Sequence, residues 1–444
     1  MMRRRDFLKA GVWGAVGAGI PLFANESAEK RLRVALIGSG WYGKVDLTRL
    51  LQVAPVEVAA LCDVYRSCLE KAGELIAQRQ LSHKTPALYA DWRDLLEKEQ
   101  LDLVLVDTPD HWHALPAIAA MNKGIPTWVQ KPIGVDVAEC RAMAETAART
   151  GVATQVGLQR RTTPHLMDVK RDFFDTGRLG KISQVDIFCY YGSGDLMDEP
   201  QTPPEDFDYE MWTGPAPMRP YYPRKSSIGW RSFMEYGNGT LGDMGVHMFD
   251  MVRWMMNLGW PKRILSAGGR YVHTRGVQTI PDTQTVIFGY DDLQVIWNHR
   301  HWGNPPEKKY PWGAFFYGTE GTLKVSVFEW EFFPRGKEEP ESSGEVVYEF
   351  EEFPEDREDQ WLEKHTAPGV RRMLSDFVRG ITEGKETLCP IREGAISSAS
   401  CILGNLSMQL GRTLEWDPET WTVKDDEEAN RLLAREYRSG WVHP

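Results

Sequence analysis

The chain has 444 residues, enough for two or three domains that each bury a core of their own. Its hydrophobic content of 42% and charged content of 26% are typical of a globular protein. The formal net charge is −11 and no basic block follows the N-terminus, which argues against nucleic acid and anionic membrane surfaces as partners.

The N-terminus predicts an export signal. The run Arg3-Arg4-Arg5 precedes Phe7-Leu8-Lys9, and a modestly apolar stretch covers residues 10–24. This arrangement resembles a twin-arginine signal, which exports proteins that have already folded, here to the periplasm. The apolar stretch is too short and too rich in glycine to span a membrane. We therefore predict residues 1–28 as a segment read by the twin-arginine machinery, with no membrane contact in the mature protein.

A glycine turn follows the first apolar run, residues 34–37. Gly38 permits a sharp turn, Gly40 allows the backbone to approach a pyrophosphate, and Gly43 lets the next helix pack closely on the strand. The amides of Trp41 and Tyr42 begin that helix, and a helix N-terminus favours bound phosphate. All five residues are predicted to bind a dinucleotide.

Asp63 ends the second predicted strand, twenty residues after Gly43. A carboxylate there would accept hydrogen bonds from the adenosine ribose and would repel a 2′-phosphate. The sequence therefore predicts NAD as the cofactor in preference to NADP.

Helices and strands continue to alternate up to residue 160, which predicts a Rossmann domain over residues 31–160. Ligands of such open parallel sheets bind beyond the carboxyl ends of the strands. Polar clusters follow three predicted strands: Asp107-Thr108-Pro109-Asp110-His111-Trp112-His113, Lys131-Pro132 and Gln159-Arg160-Arg161.

From about residue 165 the pattern changes to successive strands separated by turns. This predicts an α+β domain over residues 161–415 with a large, mainly antiparallel open sheet. Helices near residues 370–411 could pack back on the first domain, and residues 416–444 are expected to form a C-terminal arm. Alternation of Val346, Tyr348 and Phe350 with polar residues predicts a solvated edge strand in an acidic segment.

Two stretches of the second domain are candidates for substrate contact. The irregular segment 195–231 is rich in Pro, Tyr and Trp, and it could close over a bound nicotinamide. Its candidate sugar contacts are Tyr221, Tyr222, Trp230 and Arg231. A predicted helix then carries Asp243 four residues before His247, a spacing at which a carboxylate can orient an imidazole and raise its basicity.

These motifs together resemble the Gfo/Idh/MocA family of nicotinamide-dependent sugar oxidoreductases. The resemblance rests on the glycine turn, on Thr108-Pro109 with His113, on Lys131-Pro132, on Gln159-Arg160-Arg161, and on Asp243 with His247. In that family the lysine before proline is catalytic and usually follows a glutamate, whereas Gln130 stands there in this chain. The family's second-domain sheet is commonly its oligomer interface, so a homo-oligomer is expected.

The resemblance also implies a role for each matched residue. Lys131, His247 and Asp243 are expected to be catalytic. Further cofactor contacts are expected from Thr108, Pro109, His113, Gln130, Lys131 and Gln159. Substrate contacts are expected from Arg160, Arg161, Tyr221, Trp230, Arg231 and His247. No metal is expected, because the pairs His111/His113 and His299/His301 each offer two ligands and no third is apparent.

Three activities remain open at this point. The chain could be an NAD-dependent dehydrogenase that acts on a sugar hydroxyl. It could be an NAD-dependent glycosidase that oxidises, eliminates, hydrates and reduces without net redox change. A non-catalytic sugar or cofactor sensor on the same fold is the third interpretation.

Overall fold

The computed structural model describes residues 31–192, 194–223 and 229–444, so the predicted export signal lies outside the described residues. Within these ranges no helix has both the length and the apolar character needed to cross a membrane. The helices are α1 (Trp41–Val53), α2 (Arg66–Arg79), α3 (Trp92–Lys98), α4 (Ala114–Asn122), α5 (Val137–Thr150), α6 (Pro164–Val169), α7 (Tyr209–Thr213), α8 (Val246–Met256), α9 (Ala367–Glu383), α10 (Ile391–Leu410) and α11 (Glu427–Arg431).

The first sheet is parallel and confirms the predicted Rossmann arrangement. Its centre consists of apolar runs, residues 34–37 of the first strand and Leu103–Val106 of the fourth, that are excluded from water, as buried parallel strands require. The strands are β1 (Leu32–Ile37), β2 (Val56–Cys62), β3 (Ala87–Tyr89), β4 (Leu103–Val106), β5 (Thr127–Val129) and β6 (Thr154–Val156). Their order is β3-β2-β1-β4-β5-β6, so the direction of winding reverses between β1 and β4. A crevice is expected where the carboxyl ends of those two strands diverge.

The second sheet has ten strands and is mainly antiparallel, as predicted, although β7 and β10 pair in parallel. Its order is β14-β13-β12-β11-β7-β10-β9-β8-β15-β16. The strands are β7 (Ile182–Cys189), β8 (Arg263–Gly269), β9 (Thr283–Gly289), β10 (Gln294–Arg300), β11 (Trp312–Gly318), β12 (Gly321–Ser326), β13 (Glu329–Pro334), β14 (Ser342–Glu345), β15 (Leu414–Asp417) and β16 (Thr422–Val423). The helices α8 and α10 pack against it.

The edge strand predicted around Val346, Tyr348 and Phe350 is not formed there. The observed edge strand β14 ends at Glu345, and beyond it the rings of Tyr348 and Phe350 stack with centroids 5.1 Å apart. Glu349 between them accepts hydrogen bonds from Arg371. The alternation therefore reflects an ion pair and a ring stack in an irregular segment.

The C-terminal helices join the two domains, because α9 packs on α1 and α10 packs on α5. A buried ionic network reinforces the first contact. Arg49 of α1 lies 2.8 Å from a carboxylate oxygen of Asp359 and 3.2 Å from one of Asp356. Asp356 in turn pairs with Arg371 of α9 at 2.7 Å. All these side chains are nearly inaccessible to water.

Arg49→Ala should lower the free energy of unfolding by about 3–5 kcal/mol, because it removes the buried cation shared by Asp356 and Asp359 and leaves Asp356 to Arg371 and Asp359 to the partly exposed Arg79. Arg93→Ala is the matched control, since its pair with Asp91 is exposed and is expected to contribute less than about 1 kcal/mol. Urea denaturation of both variants checks this expectation. Equal losses would show that the buried network does not stabilise the domain contact.

Candidate active site

The glycine turn lies at the crevice between β1 and β4. Gly38 has φ of +96°, and a Cβ there would lie 2.6 Å from backbone atoms of Asp107 and Thr108. A Cβ on Gly43 would lie 2.1 Å from the carbonyl oxygen of Gly38, so helix and strand approach as closely as predicted. A Cβ on Gly40 would meet nothing within 4 Å, and no side chain caps the start of α1. The open, uncapped helix N-terminus suits a pyrophosphate.

Asp63 follows β2 and faces the same crevice. One carboxylate oxygen accepts the N–H of Ser39 at 2.9 Å and the other accepts the N–H of Tyr65 at 2.9 Å. Burial raises the pKa of Asp63, and these N–H groups oppose that effect. A carboxylate has about four acceptor positions, so Asp63 keeps the capacity to accept a bond from the ribose.

The turn after β4 is held by His113. One ring nitrogen lies 2.6 Å from the carbonyl oxygen of Pro132 and the other lies 2.8 Å from that of Thr108. Burial lowers the pKa of His113 to about 4. The structure therefore places His113 as a brace between two turns, with no ring nitrogen free for a cofactor. The hydroxyl of Thr108 is buried without a partner among the described residues and can serve one.

Gln130 is fixed by hydrogen bonds at both ends of its side-chain amide. The amide nitrogen donates to a carboxylate oxygen of Asp46 at 2.6 Å, and the amide oxygen accepts the N–H of Lys131 at 3.1 Å. The same oxygen of Asp46 accepts the indole N–H of Trp128 at 2.9 Å. The carboxylate that the family usually carries before the lysine is thus replaced here by an amide bound to a carboxylate of α1.

Asp46 and Asp107 form a buried carboxyl pair that the sequence analysis did not identify. Burial raises the pKa of Asp46 to about 7, against the hydrogen bonds from Gln130 and Trp128. Burial and then Asp46 raise the pKa of Asp107 well above its usual range. We infer that the pair holds one shared proton near neutral pH. The charged residue Asp46 on the sheet-facing side of α1 was the sequence signal that could have identified this pair.

Lys131 joins the two domains at the site. Its ammonium group donates to a carboxylate oxygen of Asp243 at 2.7 Å and to the backbone oxygen of Asp243 at 2.9 Å. Arg231 lies 3.0 Å from the same carboxylate oxygen. Burial alone would raise the pKa of Asp243, but Arg231 and Lys131 hold it well below its usual range. Asp243 is therefore an anion that positions two cations.

Asp243 was predicted to orient His247, but no hydrogen bond between the two side chains is found among the described contacts. Residues Leu241–Gly245 form a π-helical turn, and only then does α8 begin. A wider turn moves residues four apart out of alignment, so Asp243 faces Lys131 and Arg231 instead. Asp243 still acts electrostatically to raise the pKa of His247. One ring nitrogen of His247 is buried and has no hydrogen-bond partner among the described residues.

His247 is held neutral by its surroundings. Burial, followed by the cations Lys131 and Arg160, lowers the pKa of His247 well below its ordinary value. Its ring lies at the edge of Trp312, with centroids 5.7 Å apart. A neutral imidazole with an unpartnered nitrogen can accept a proton from a substrate.

Asp110 is a further site residue, to which the sequence analysis gave no role. Burial raises its pKa to about 7, opposed by Arg231 and Lys131 and reinforced by Asp243. It therefore belongs to the same charge network. Its position beyond the end of β4 was the signal that could have identified it.

Arg160 and Arg161 are neighbours with different environments. Arg161 forms a buried bidentate pair with Asp250 of α8, at 2.9 and 2.7 Å, so the structure places it in the domain contact and away from the predicted substrate site. Arg160 lies over the ring of Trp312, and two of its nitrogens have no partner among the described residues. Gln159 donates to the hydroxyl of Tyr42 at 2.8 Å.

The irregular segment 195–231 contributes residues to both ends of the crevice. Residues 205–209, which we call the strap, dock beside Asp63: Phe207 pairs with Tyr65, and Asp206 accepts the N–H of Arg66 at 2.9 Å. The ring of Tyr221 packs on Phe207 with centroids 5.9 Å apart, which puts it at the adenosine end and not over the nicotinamide as expected. Trp230 and Arg231 lie at the other end, where they stack at 4.3 Å.

These residues fit a dinucleotide. The uncapped start of α1 and the open space at Gly40 suit the pyrophosphate, Asp63 suits the ribose, and the orphaned hydroxyl of Thr108 lies at the β4 end where the nicotinamide half is expected. Lys131, which follows β5, and His247 of α8 then lie where the two domains meet.

Comparison with known proteins agrees with this geometry. Residues 32–158 match the Gfo/Idh/MocA family model described as an oxidoreductase family with an NAD-binding Rossmann fold. Residues 179–268 and 341–443 match the C-terminal α/β domain of the same family.

Two curated relatives show how far the sequence similarity extends. The rhizopine catabolism protein MocA of Rhizobium meliloti is 30% identical over 226 residues, which are 51% of this chain and 57% of that protein. A glycosyl hydrolase family 109 protein of Shewanella baltica (strain OS195) is 32% identical over 174 residues, which are 34% of this chain and 38% of that protein. The chain thus matches less than two thirds of the length of these relatives.

Solved structures share the fold along most of the chain. An oxidoreductase from Agrobacterium radiobacter in complex with NAD+, L-tartaric acid and magnesium has a TM-score of 0.64 at 16% identity, covering 87% of this chain and 98% of that one. The aldose-aldose oxidoreductase from Caulobacter crescentus has a TM-score of 0.62 at 17% identity, covering 87% of this chain and 100% of that one. At these identities the likeness concerns the fold alone.

The carboxyl pair gives a pH-dependent prediction. Because the pKa of Asp46 is raised from about 4 in the unfolded chain to about 7 in the fold, the wild type loses stability as pH rises through that window. An asparagine in place of Asp46 would keep the bonds from Gln130 and Trp128 and could donate to Asp107. Asp46→Asn should therefore be more stable than wild type at pH 8, by roughly 1 to 4 kcal/mol, and should lose this advantage near pH 4.

Thermal denaturation between pH 4 and pH 8 measures this difference. Asp94→Asn is the control, because Asp94 is exposed and pairs only with Lys98 on the surface. A stability gain that is absent at pH 8, or is the same at every pH, would show that the two carboxyl groups do not share a proton.

Proposed function

This chain belongs to the Gfo/Idh/MocA family of NAD-binding oxidoreductases, and we propose that it oxidises a hydroxyl group of a sugar or glycoside while retaining its NAD. The observation that carries the proposal is the meeting of Lys131 and Asp243 beside a neutral His247, at the dinucleotide crevice where the two domains meet. An anchored cation and a free base are the two groups that alcohol oxidation requires from the protein.

His247 is the proton acceptor in this proposal. Its neutral imidazole takes the proton of the substrate hydroxyl, and the carboxylate of Asp243 nearby stabilises the resulting imidazolium. Lys131 has three ammonium N–H groups, of which two are used by Asp243, so one remains for the substrate oxygen. That N–H holds the hydroxyl in place and stabilises negative charge on its oxygen as the proton leaves. The bound nicotinamide supplies the hydride acceptor and, in a redox-neutral cycle, the donor that returns the hydride.

The strap supports retention of the cofactor. It is anchored to the β2–α2 connection by backbone bonds, including the N–H of Asp208 to the carbonyl oxygen of Val64 at 3.0 Å, and by the rings of Phe207 and Tyr65. The strap binds residues 64–66, which directly follow Asp63, where the adenosine ribose is expected. It would therefore have to move before a dinucleotide could leave. Slow exchange is the physical consequence of such an anchored cover.

Retention would also suit the proposed export. Residues 1–28, if they act as a twin-arginine signal, would send out a protein that has folded around its cofactor. No nicotinamide pool is expected in the periplasm, so an exported enzyme that released NADH after each turnover would stop. A redox-neutral net reaction on retained NAD avoids this difficulty.

Glycoside cleavage is the second candidate, and the similarity to glycosyl hydrolase family 109 proteins favours it. Oxidation of a sugar hydroxyl acidifies the neighbouring C–H bond, so a base can remove that proton while the glycosidic C–O bond breaks. Water then adds across the new double bond, and reduction of the ketone restores the hydroxyl. Oxidation of one sugar coupled to reduction of another is the alternative cycle without net redox change.

A homo-oligomer through the second sheet remains part of the proposal. Its outer face carries half-exposed apolar side chains, among them Leu265 on β8 and Tyr317 on β11, that a second copy could cover.

Lys131→Ala and His247→Ala should each lower turnover by at least about 100-fold while leaving NAD bound, because both act on the substrate hydroxyl. Turnover is measured with a panel of sugars and aryl glycosides, and NAD content by absorbance after denaturation. Lys123→Ala is the control, because Lys123 pairs with Glu97 on the surface. Near wild-type turnover in either variant would remove that residue from the mechanism, and a wild type inactive on the whole panel would favour a sensor.

A further inference from the structure

Arg160 is a buried guanidinium with no ionic partner among the described residues. Only 2% of its surface is accessible, and its Nε and one Nη atom lack any hydrogen-bond acceptor. The other buried arginines of the described chain are each within 4.0 Å of a carboxylate: Arg49, Arg161, Arg253 and Arg371. Glu363 influences the pKa of Arg160 but is exposed and forms no ion pair with it.

An unpaired buried cation is strongly unfavourable unless something compensates for it. Trp312 offers part of the compensation, since its ring lies 5.1 Å from the centre of the guanidinium. A ring face cannot accept the in-plane N–H groups, which remain directed away from any protein acceptor. The missing partner is therefore an acceptor that the described protein does not provide.

The histidines that interact electrostatically with Arg160 are neutral. His165, His247 and His365 each respond to the charge of Arg160, and each has a buried ring nitrogen without a partner. Burial lowers the pKa of His165 to about 4 and that of His365 to about 3, so both are uncharged at neutral pH. Each neutral imidazole has one N–H and one bare nitrogen, and His165 directs its N–H at the carbonyl oxygen of Ser326, so none of the three rings supplies the negative charge that Arg160 lacks.

The ring contact of Arg160 is made to the second domain, whereas the pyrophosphate is expected in the first. The pyrophosphate belongs at the open glycine turn, by Gly40. Arg160 stacks on Trp312 of β11 and acts on His247 of α8, which lie on the substrate side of the crevice, and it also acts on Tyr42 in the first turn of α1.

We propose that Arg160, stacked on Trp312, forms a subsite for a carboxylate on the substrate, so that the sugar oxidised beside His247 is a uronic acid or its glycoside. This inference rests on the proposed function for the identity of the reacting group, although the anion subsite can be tested by binding alone. A carboxylate matches the two parallel N–H groups of a guanidinium and carries one negative charge, which Arg160 balances alone. A phosphate dianion would leave a second charge unpaired, because Lys131 and Arg231 are already engaged by Asp243.

The test compares matched pairs of ligands on the NAD-containing protein. Methyl glucuronide is set against methyl glucoside, and methyl galacturonide against methyl galactoside, with binding followed by titration calorimetry and turnover followed separately. We expect wild type to bind the acid of at least one pair at least tenfold more tightly. Arg160→Met should reduce that preference to less than threefold, and Arg160→Lys, which keeps the charge without the fork, should retain part of it. Arg178→Met is the control, because Arg178 also stacks on aromatic rings but lies at the surface.

Each outcome decides one question. Equal affinity of wild type for both members of every pair, or a preference that survives in Arg160→Met, overturns the subsite. Loss of NAD from Arg160→Met, with the acid preference unchanged in the protein that keeps NAD, assigns Arg160 to the cofactor and also overturns it. If wild type prefers the acid through Arg160 but turns over neither sugar, the carboxylate subsite is supported and only the proposed oxidation is contradicted.

Discussion

The contact between Lys131 and Asp243 is the constraint on which the site depends. Lys131 follows the fifth strand of the parallel sheet, whereas Asp243 belongs to a π-helical turn of the second domain. Their bond, at 2.7 Å, therefore fixes the position of the substrate side of the crevice relative to the cofactor side. Asp243 also holds Arg231, so the anion that orients Lys131 keeps its own charge at every physiological pH.

The contacts of Gln130 explain how this chain can carry an amide where the family usually has a glutamate. The amide binds the backbone of Lys131 with one end and the carboxyl group of Asp46 with the other. The negative charge usually found before the lysine is thus moved one contact away, into a buried pair with Asp107. The lysine is then oriented by Asp243, so the loss of charge at Gln130 does not leave it without a partner.

Much of the fold could be predicted because the signals are local. The apolar runs and the glycine spacing each depend on residues close in sequence, and the structure contains both. The site was harder to predict, because Arg160 and Arg161 are adjacent and identical in type. Only the fold pairs Arg161 with Asp250 and leaves Arg160 without a partner among the described residues. The π-helical turn similarly changed the partner of Asp243, because helical spacing assumes 3.6 residues per turn.

The position of the strap could likewise not be predicted from the sequence. Its aromatic composition indicated a binding role but did not indicate which end of the crevice it covers. Its docking beside Asp63 makes cofactor retention the central claim of the account. Denaturing the purified protein and quantifying the nucleotide that is released tests this most directly. The account predicts close to one NAD per chain, its loss in Phe207→Ala, and turnover of a glycoside or sugar pair by wild type with no cofactor added. A protein that emerges empty, works only with excess NAD and accumulates NADH would contradict it.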